Sequence, residues 1–491
     1  MQLVIPRIVA VAAFACVAAA NLSCGPSYRE ELPPGSPFLH TANEPASLFP
    51  QGVAIGDVTS TSAIVWLRTA RPAPVLVEYR PKERPLGAEE WAQSKVWRSL
   101  EGDTEPGRDL TLKLELSGLE PATSYLVRLS RKQLGPADPS MGSSLTAEFK
   151  TLPSSTSRVP VVFGWSGDLG GQTKCRTGSE SYPIFSLVQR RSPDFFLFLG
   201  DTIYADEVCG PPNFPGSEFK ANTLQQYRAK HRYQRGSMPL QRFLAAVPVY
   251  VTWDDHDVRN NFAGPFDPQM PDGRQALLDY WPIREPSDDP HRLYRRVRVG
   301  ADLELFVLDT RQYRHRNAEP DGPAKTMLGI VQRDWLLEGL RTSDATWKVI
   351  ASSVPLSNPK PGTASEPGQD GWAGGADGTG FETELGVIAR TIADRSIRNV
   401  VWLTGDVHFV QGLAYDVDGD GLIDFHEFTA GPLSAATGRL LPTRSPFATR
   451  SFISEAGFQN FGLVKVDGGS FAVTVIDEEG KVRYSQRLDA R

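Results

Sequence analysis

The sequence predicts two parts, a small all-β sandwich followed by a larger α/β domain, and three observations carry that expectation. Short alternating apolar runs separated by turn residues fill residues 48–152. From Arg158 onward, apolar strand-like runs alternate with stretches of helical spacing. Five of those runs end in acidic or acidic-plus-histidine clusters, which are costly to gather at one sheet edge unless cations compensate them.

At 491 residues the chain is too long for one ordinary core. Its net charge of -6 argues against a general nucleic-acid binder, whose footprint is a basic surface, and leaves a small anionic substrate open. At the N-terminus, Arg7 precedes an apolar run over residues 8–20 that is too short to span a bilayer. It reads as a secretory signal with Ala18-Ala19-Ala20 as a cleavage site. Leu22-Ser23-Cys24-Gly25 is similar to a bacterial lipoprotein box, although Asn21 stands where such boxes carry an aliphatic residue. Lipidation of Cys24 and simple secretion both stand as readings. The leader thus covers residues 1–24 and an extended linker residues 25–47, and the chain is expected to be exported: periplasmic, secreted or lipid-anchored.

The β-sandwich is expected over residues 48–152, with strands such as Ser62-Ala63-Ile64-Val65-Trp66-Leu67 and Leu110-Thr111-Leu112-Lys113-Leu114. Leu119-Glu120-Pro121-Ala122-Thr123-Ser124-Tyr125 resembles the tyrosine-corner segment of fibronectin type III domains. No cluster of His, Cys or catalytic carboxylates lies here, so this part reads as scaffold. Leu152-Pro153-Ser154 marks the boundary, leaving residues 153–491 for the second domain.

In that domain the central stretch is residues 195–206. Five apolar residues end at Gly200, which suits a buried parallel strand opening into a tight turn. Asp201 would then stand at the strand's carboxyl end, where open α/β sheets place ligands. Tyr204 follows three residues later. A carboxylate bridging two cations, with a phenol near one, makes chemical sense around a hard trivalent metal; the other reading is an aspartate capping the next helix. Strands over residues 159–165, 249–253, 303–308 and 400–403 run into Gly167-Asp168-Leu169-Gly170, Asp254-Asp255-His256-Asp257, Asp309-Thr310-Arg311 and Gly405-Asp406-Val407-His408. Residues 347–352 form a further strand, and residues 183–191 and 225–246 are helical, the latter broken near Gly236. One cluster alone reads as a solvated turn; five together read as a metal site. No Gly-rich phosphate loop or Ser-His-Asp order competes.

These motifs stand in the order of the calcineurin-like metallophosphoesterases, and the first two carry the purple acid phosphatase spelling. With Trp253-Asp254-Asp255-His256, Leu308-Asp309-Thr310-Arg311 and the N-terminal sandwich, the chain resembles the alkaline phosphatase D (PhoD) family over nearly all its mature length. The resemblance implies a two-sheet β-sandwich core flanked by helices, an Fe3+ and Ca2+ site, and hydrolysis of phosphate monoesters or diesters. Carried over by position, Asp168, Tyr204 and His408 would hold the first metal, Asp201 would bridge, and Asp255 and Asp406 would complete the second. That second set is all oxygen, which favours Ca2+ or Mg2+ over Zn2+. His256 would steady the phosphate or protonate the leaving oxygen, with Arg311 and Asn261 as phosphate contacts. The family usually carries a cysteine iron ligand where this chain has Asp168, and Cys175 lies seven residues on, so both stand as candidates. The expected chemistry is in-line attack by a metal-bound hydroxide, in a monomer with no specific nucleic-acid partner. A phospholipase D-type phosphodiesterase at a membrane surface is the nearer alternative, and a non-catalytic surface-binding protein the more distant one.

Two features lie beside this site. Cys175 and Cys209 each follow a motif strand, and an exported chain would let them form a disulfide unless Cys175 ligates iron. Asp416, Asp418, Asp420, Asp424 and Glu427 match the acidic positions of an EF-hand calcium loop, with Gly421 at its sixth position. Strand-like runs flank the loop, so a hairpin is expected rather than paired helices, and a solvated Asp-Gly turn is the other reading.

Overall fold

The computed structural model describes residues 47–82, 97–132, 144–364 and 366–491. The leader, Cys24 and the linker through residue 46 lie outside them. The N-terminal strands are β1 (Val53–Gly56), β2 (Ser62–Arg68), β3 (Pro74–Pro81), β4 (Arg98–Asp103), β5 (Thr111–Ser117), β6 (Ser124–Arg131) and β7 (Leu145–Lys150). Four of them form an antiparallel sheet in the order β4-β3-β6-β7, and β6 and β7 bury every second residue. The Tyr125 hydroxyl accepts a 2.9 Å hydrogen bond from the Glu120 amide and so ties the preceding loop to the sheet.

The rest of the chain alternates β8 (Val161–Ser166), α1 (Ile184–Arg190), β9 (Phe195–Leu199), α2 (Leu224–Arg235), α3 (Met238–Ala246) and β10 (Val249–Thr252). It continues through α4 (Met270–Tyr280), β11 (Arg295–Val299), β12 (Leu303–Val307), α5 (Gly329–Thr342), β13 (Trp347–Ala351), α6 (Glu382–Asp394) and β14 (Val400–Thr404). The last strands are β15 (Val410–Asp416), β16 (Phe425–Thr429), β17 (Ala448–Glu455), β18 (Asn460–Asp467), β19 (Ser470–Asp477) and β20 (Val482–Asp489). The interruption near Gly236 separates α2 from α3, and Ser237 caps the second helix by accepting from the Leu240 amide.

Two large sheets result, with orders β20-β19-β18-β8-β9-β10-β1-β2-β5 and β11-β12-β13-β14-β16-β15-β17. They meet where Trp347 packs on Phe471, ring centroids 5.0 Å apart, and where Thr252 Oγ1 donates to Leu308 O at 2.7 Å. Helices cover the other faces: α1, α3 and α4 contribute Phe185, Phe243 and Leu277 to one core, and α5 and α6 contribute Leu336 and Leu385 to the other. Among the described residues no helix is long and apolar enough to cross a membrane.

The expected N-terminal sandwich is not closed on itself. β1, β2 and β5 extend the first large sheet, joined through the parallel pairing of Gly56 with Val249. Alternation cannot reveal this, because β1 and the centre of β2 are buried on both faces and read as continuous apolar runs. The join is reinforced by Arg235, whose guanidinium lies between the rings of Trp66 and Trp281 at 4.3 and 4.4 Å and donates to Tyr280 O.

The site is positioned by strand direction. β8, β9 and β10 are parallel neighbours, and so are β12, β13 and β14, so the carboxyl ends of each trio open on one edge.

Candidate metal centre

Four side chains of the site sit on residues that leave their strands with left-handed backbone: Asp168 (φ 66), Asp201 (φ 49), Asp406 (φ 72) and His408 (φ 57). Each such turn costs about 1–3 kcal/mol for a residue with a Cβ, a price met where side chains must be aimed inward. Gly200 makes the central turn feasible. With φ 100 it lies so close to the next strand that a Cβ would stand 2.4 Å from Asp254 Cβ. Backbone bonds then clasp the loops together, Leu169 N to Asp201 O at 2.8 Å and Ala205 N to His256 O at 2.9 Å.

The result is a chain of overlapping clusters. Ligand atoms of Asp168, Asp201 and His408 lie within 4.8 Å of one another, as do those of Asp201, Asp255 and His256 and those of Asp254, Asp255 and Asp406. Asp201 joins the first two groups and Asp255 the last two. The Tyr204 hydroxyl lies 3.0 Å from His408 Nε2, which itself is 3.3 Å from Asp168 Oδ1. His408 Nδ1 donates to Ala436 O, which leaves Nε2 as the lone-pair nitrogen facing the cluster.

The donor set fits cations. Asp168 Oδ2, Asp254 Oδ2, Asp255 Oδ1 and Asp406 Oδ2 are buried without a hydrogen-bond partner, an expensive arrangement for carboxylates left to themselves. Burial, with Asp255, Asp254 and Asp168 close by, raises the Asp201 carboxyl well above the usual carboxylate range. Burial and the charges of Asp201 and Asp168 likewise raise the Tyr204 phenol. Positive ions among these groups reverse that electrostatic demand.

His256 lies in the same cavity, its Nδ1 2.7 Å from Asp206 Oδ1. Burial pushes this imidazole down, but Asp255 and Asp206 outweigh it and lift it to about 9. The sequence reading passes over Asp206 although it ends the central stretch; its spacing from Tyr204 carries no ligand pattern, and only the fold brings it to His256. The cavity measures about 270 Å³, with Asp201, His256, Lys360, Asp406 and His408 in its wall and Arg439 on its rim. None of its lining residues comes from the N-terminal strands.

Lys360 and Asp370 are further charged residues that sequence reasoning misses, and Asp254 is named there only within its acidic cluster, without a role. Lys360 Nζ pairs with Asp406 Oδ1 and lies 3.5 Å from Asp370 Oδ2. A lysine in a Pro- and Gly-rich loop carries no motif that could announce this.

Three expectations are corrected. Arg311 does not face the cavity: fully buried, it binds Asp254 Oδ1 through Nε and holds Asp370 in a fork at 2.7 and 2.9 Å, so its guanidinium is consumed by carboxylates. Asn261 acts through its backbone, its amide donating to Asp255 Oδ2 at 2.8 Å, while Asn260 is the asparagine lining the cavity. Glu427 is turned away from the acidic loop into the core, where it accepts from Tyr415 Oη, Leu356 N (2.8 Å) and Thr404 Oγ1 (3.2 Å). Strand alternation in β16 is the reason.

That loop is the hairpin between β15 and β16. It brings ligand atoms of Asp416, Asp418 and Asp424 within 4.8 Å, while the Asp416 carboxylate already accepts from the amides of Gly419 and Gly421 and the Asp420 carboxylate from that of Leu422. Cys175 is bonded to Cys209, with Cα atoms 5.7 Å apart, and stands outside the metal clusters.

Comparison with known proteins agrees with this architecture. The family described as PhoD-like phosphatase matches residues 171–475, and its N-terminal domain matches residues 36–153. The chain is 30% identical over 400 residues to alkaline phosphatase D of Bacillus subtilis (strain 168), covering 73% of this chain. It spans 64% of that relative's length. A solved PhoD structure superposes with a TM-score of 0.72 at 24% identity, covering 91% of this chain and 90% of the other. Purple acid phosphatase PPD1 from yellow lupin (Lupinus luteus) seeds superposes with a TM-score of 0.60 at 12% identity, covering 89% and 74%.

Proposed function

The chain belongs to the PhoD-like phosphatase family, and on that premise we propose that it is an exported, metal-dependent phosphoesterase acting on phosphate monoesters and diesters. The observation that carries this reading is the set of buried carboxylate oxygens without a hydrogen-bond partner on Asp168, Asp255 and Asp406, in overlapping clusters with Asp201 and His408, beside which Tyr204 stands. Asp168, Tyr204 and His408 would hold the first cation, with Asp201 shared, and Asp255 and Asp406 the second. The phenol and the imidazole suit Fe3+ at the first position, and the all-oxygen set suits Ca2+ or Mg2+ at the second. Because Cys175 is tied to Cys209, Asp168 is the ligand we assign.

When bound, such a pair of cations offsets the charge of the phosphoryl oxygens and activates water for attack. The protein's own residues do the rest. His256, fixed through Nδ1 by Asp206, presents Nε2 to the cavity and holds a proton there for the leaving oxygen. Lys360 and Arg439 supply positive charge around the anionic substrate.

Export is supported by the Cys175–Cys209 disulfide, which belongs to an oxidising compartment. Attachment through Cys24 would be revealed by mass spectrometry of the mature N-terminus. Metal analysis followed by a panel of phosphate mono- and diesters tests the activity; a fully metallated protein that hydrolyses neither class would refute it.

A further inference from the structure

The two candidate metal positions differ in the company they keep. At the second, every carboxylate has one oxygen tied by a hydrogen bond from a protein donor and the other without one. Asp254 Oδ1 accepts from Arg311 Nε and from Ser353 Oγ at 2.8 Å, Asp255 Oδ2 from the Asn261 amide at 2.8 Å, and Asp406 Oδ1 from Lys360 Nζ. Their other oxygens are those without a hydrogen-bond partner. Two fixed cations therefore stand behind this position, since Arg311 Nη2 also lies 3.3 Å from Asp255 Oδ1. At the first position, no lysine or arginine pairs with Asp168 or Asp201 among the described residues, and the ion-pair partner of Asp168 is His408.

We propose that Lys360 is a resident cation of the second position, a positioning residue that fixes Asp406 and keeps that position's affinity for a divalent ion low and exchangeable. The inference rests on the reading of Asp255 and Asp406 as metal ligands. Lys360 is held at both its backbone and its ammonium. Its carbonyl accepts from the Asp370 amide at 2.9 Å, its ammonium also lies 3.5 Å from Asp370 Oδ2, and Asp370 is pinned by Arg311, Arg314 and Asn317.

Two effects of the ammonium oppose each other. By orienting Asp406 it favours metal binding, and losing such an outer partner typically costs about 10–100-fold in affinity. By its charge it disfavours binding. A cation on Asp406 Oδ2, with oxygen-to-calcium distances of about 2.4 Å, would lie on the order of 5 Å from Nζ. A single positive charge at about that distance from a divalent ion weakens binding by well over 100-fold at a typical effective protein dielectric. The charge effect wins, so neutralising residue 360 tightens the position. Arg311 cannot play the same part adjustably, because it is fully buried and also closes the Asp254–Asp370 network, whereas the Lys360 side chain keeps 22% exposure at the cavity.

The test is calorimetric titration of the full chain with Ca2+ and, separately, Mg2+, the first position having been loaded with iron and verified by elemental analysis. Lys360→Met should bind the divalent ion about tenfold more tightly than wild type or better, and Lys360→Gln, which keeps a donor for Asp406, at least as tightly. Lys360→Arg should stay within about threefold of wild type, since it keeps the charge. Iron content should be the same in all four proteins, which a general loss of structure would not allow. Unchanged or weaker Ca2+ binding in a folded Lys360→Met or Lys360→Gln protein overturns the proposal. So does unchanged Ca2+ affinity combined with weakened inorganic phosphate binding, which would make Lys360 a substrate contact alone. Because the readout is binding, a wild-type protein inactive on every phosphoester would defeat the proposed function and leave this comparison intact.

Discussion

Tyr204 Oη and His408 Nε2 lie 3.0 Å apart although 204 residues separate them in the chain. They come from the ends of β9 and β14, one in each large sheet, so the contact exists only because both sheets open their carboxyl ends on the same edge. Gly171 makes room for the phenol, since a Cβ there would stand 2.1 Å from Tyr204 Cγ.

If a phenolate holds iron at this point, the purified protein absorbs in the visible through phenolate-to-iron charge transfer. Tyr204→Phe should remove that band while His256→Ala, outside the tyrosine's bond to the metal, keeps it. A spectrum unchanged by Tyr204→Phe, at equal iron content, contradicts the assignment.

The His256–Asp206 pair predicts a pH response in the chelated protein. The folded-state value of about 9 lies above the ordinary value near 6.5, so this group's stabilisation is fully present below about pH 6.5 and is lost as pH rises through about 9. Asp206→Asn removes one of the raising carboxylates, so the His256 titration followed by NMR should move to lower pH. The same substitution should lower kcat by about 10–100-fold. A titration that does not move means that Asp206 does not set the state of His256.

Much of this site was legible because a buried strand running directly into an acidic turn is a local pattern: Asp168, Asp201, Asp406 and His408 follow strands that end in Gly-Asp, and Asp255 follows one that ends in Trp-Asp-Asp-His. What was not legible depends on pairing between distant segments. Arg311 follows a strand as the others do, yet its fate is decided by Asp254 and Asp370, which reach it from two other loops. Lys360 and Asp206 acquire roles only through the partners the fold gives them. The merging of the N-terminal strands into the large sheet was hidden for a similar reason, since one parallel pairing at Gly56 leaves no mark on the alternation of either strand.

The disulfide joins the loop after β8 to the loop after β9 and closes a 34-residue segment that contains Asp201, Tyr204 and Asp206. Its removal by Cys175→Ala with Cys209→Ala should lower stability by about 2–4 kcal/mol, read as an earlier midpoint in denaturant. Peptide mapping without reduction should find the two cysteines in one cross-linked species. Two free thiols in the purified protein would contradict the pairing.

His231, buried on α2 with Nε2 unpartnered and its ring stacked on Tyr280 at 5.2 Å, predicts acid sensitivity. Burial first, then the charges of Arg235 and Arg232, lower it to about 3. The unfolded chain takes up a proton near pH 6.5 and the folded chain does not, so stability is complete above that value and falls as pH drops toward about 3. The loss across the window is on the order of 4 kcal/mol. His231→Phe, which keeps the stacking, should flatten the fall in unfolding free energy between pH 6 and 4; an unchanged slope would place the acid response elsewhere.

If the carboxylates around Asp201 gather cations for phosphoester hydrolysis, kcat/KM toward p-nitrophenyl phosphate and bis(p-nitrophenyl) phosphate, taken with metal content on the same samples, reads it directly. The metallated wild type should hydrolyse at least one of the two, and Asp201→Asn should lose metal from both positions and about 1,000-fold or more in kcat/KM. Undiminished hydrolysis by a folded Asp201→Asn protein, or a fully metallated wild type inert toward both esters, would contradict it.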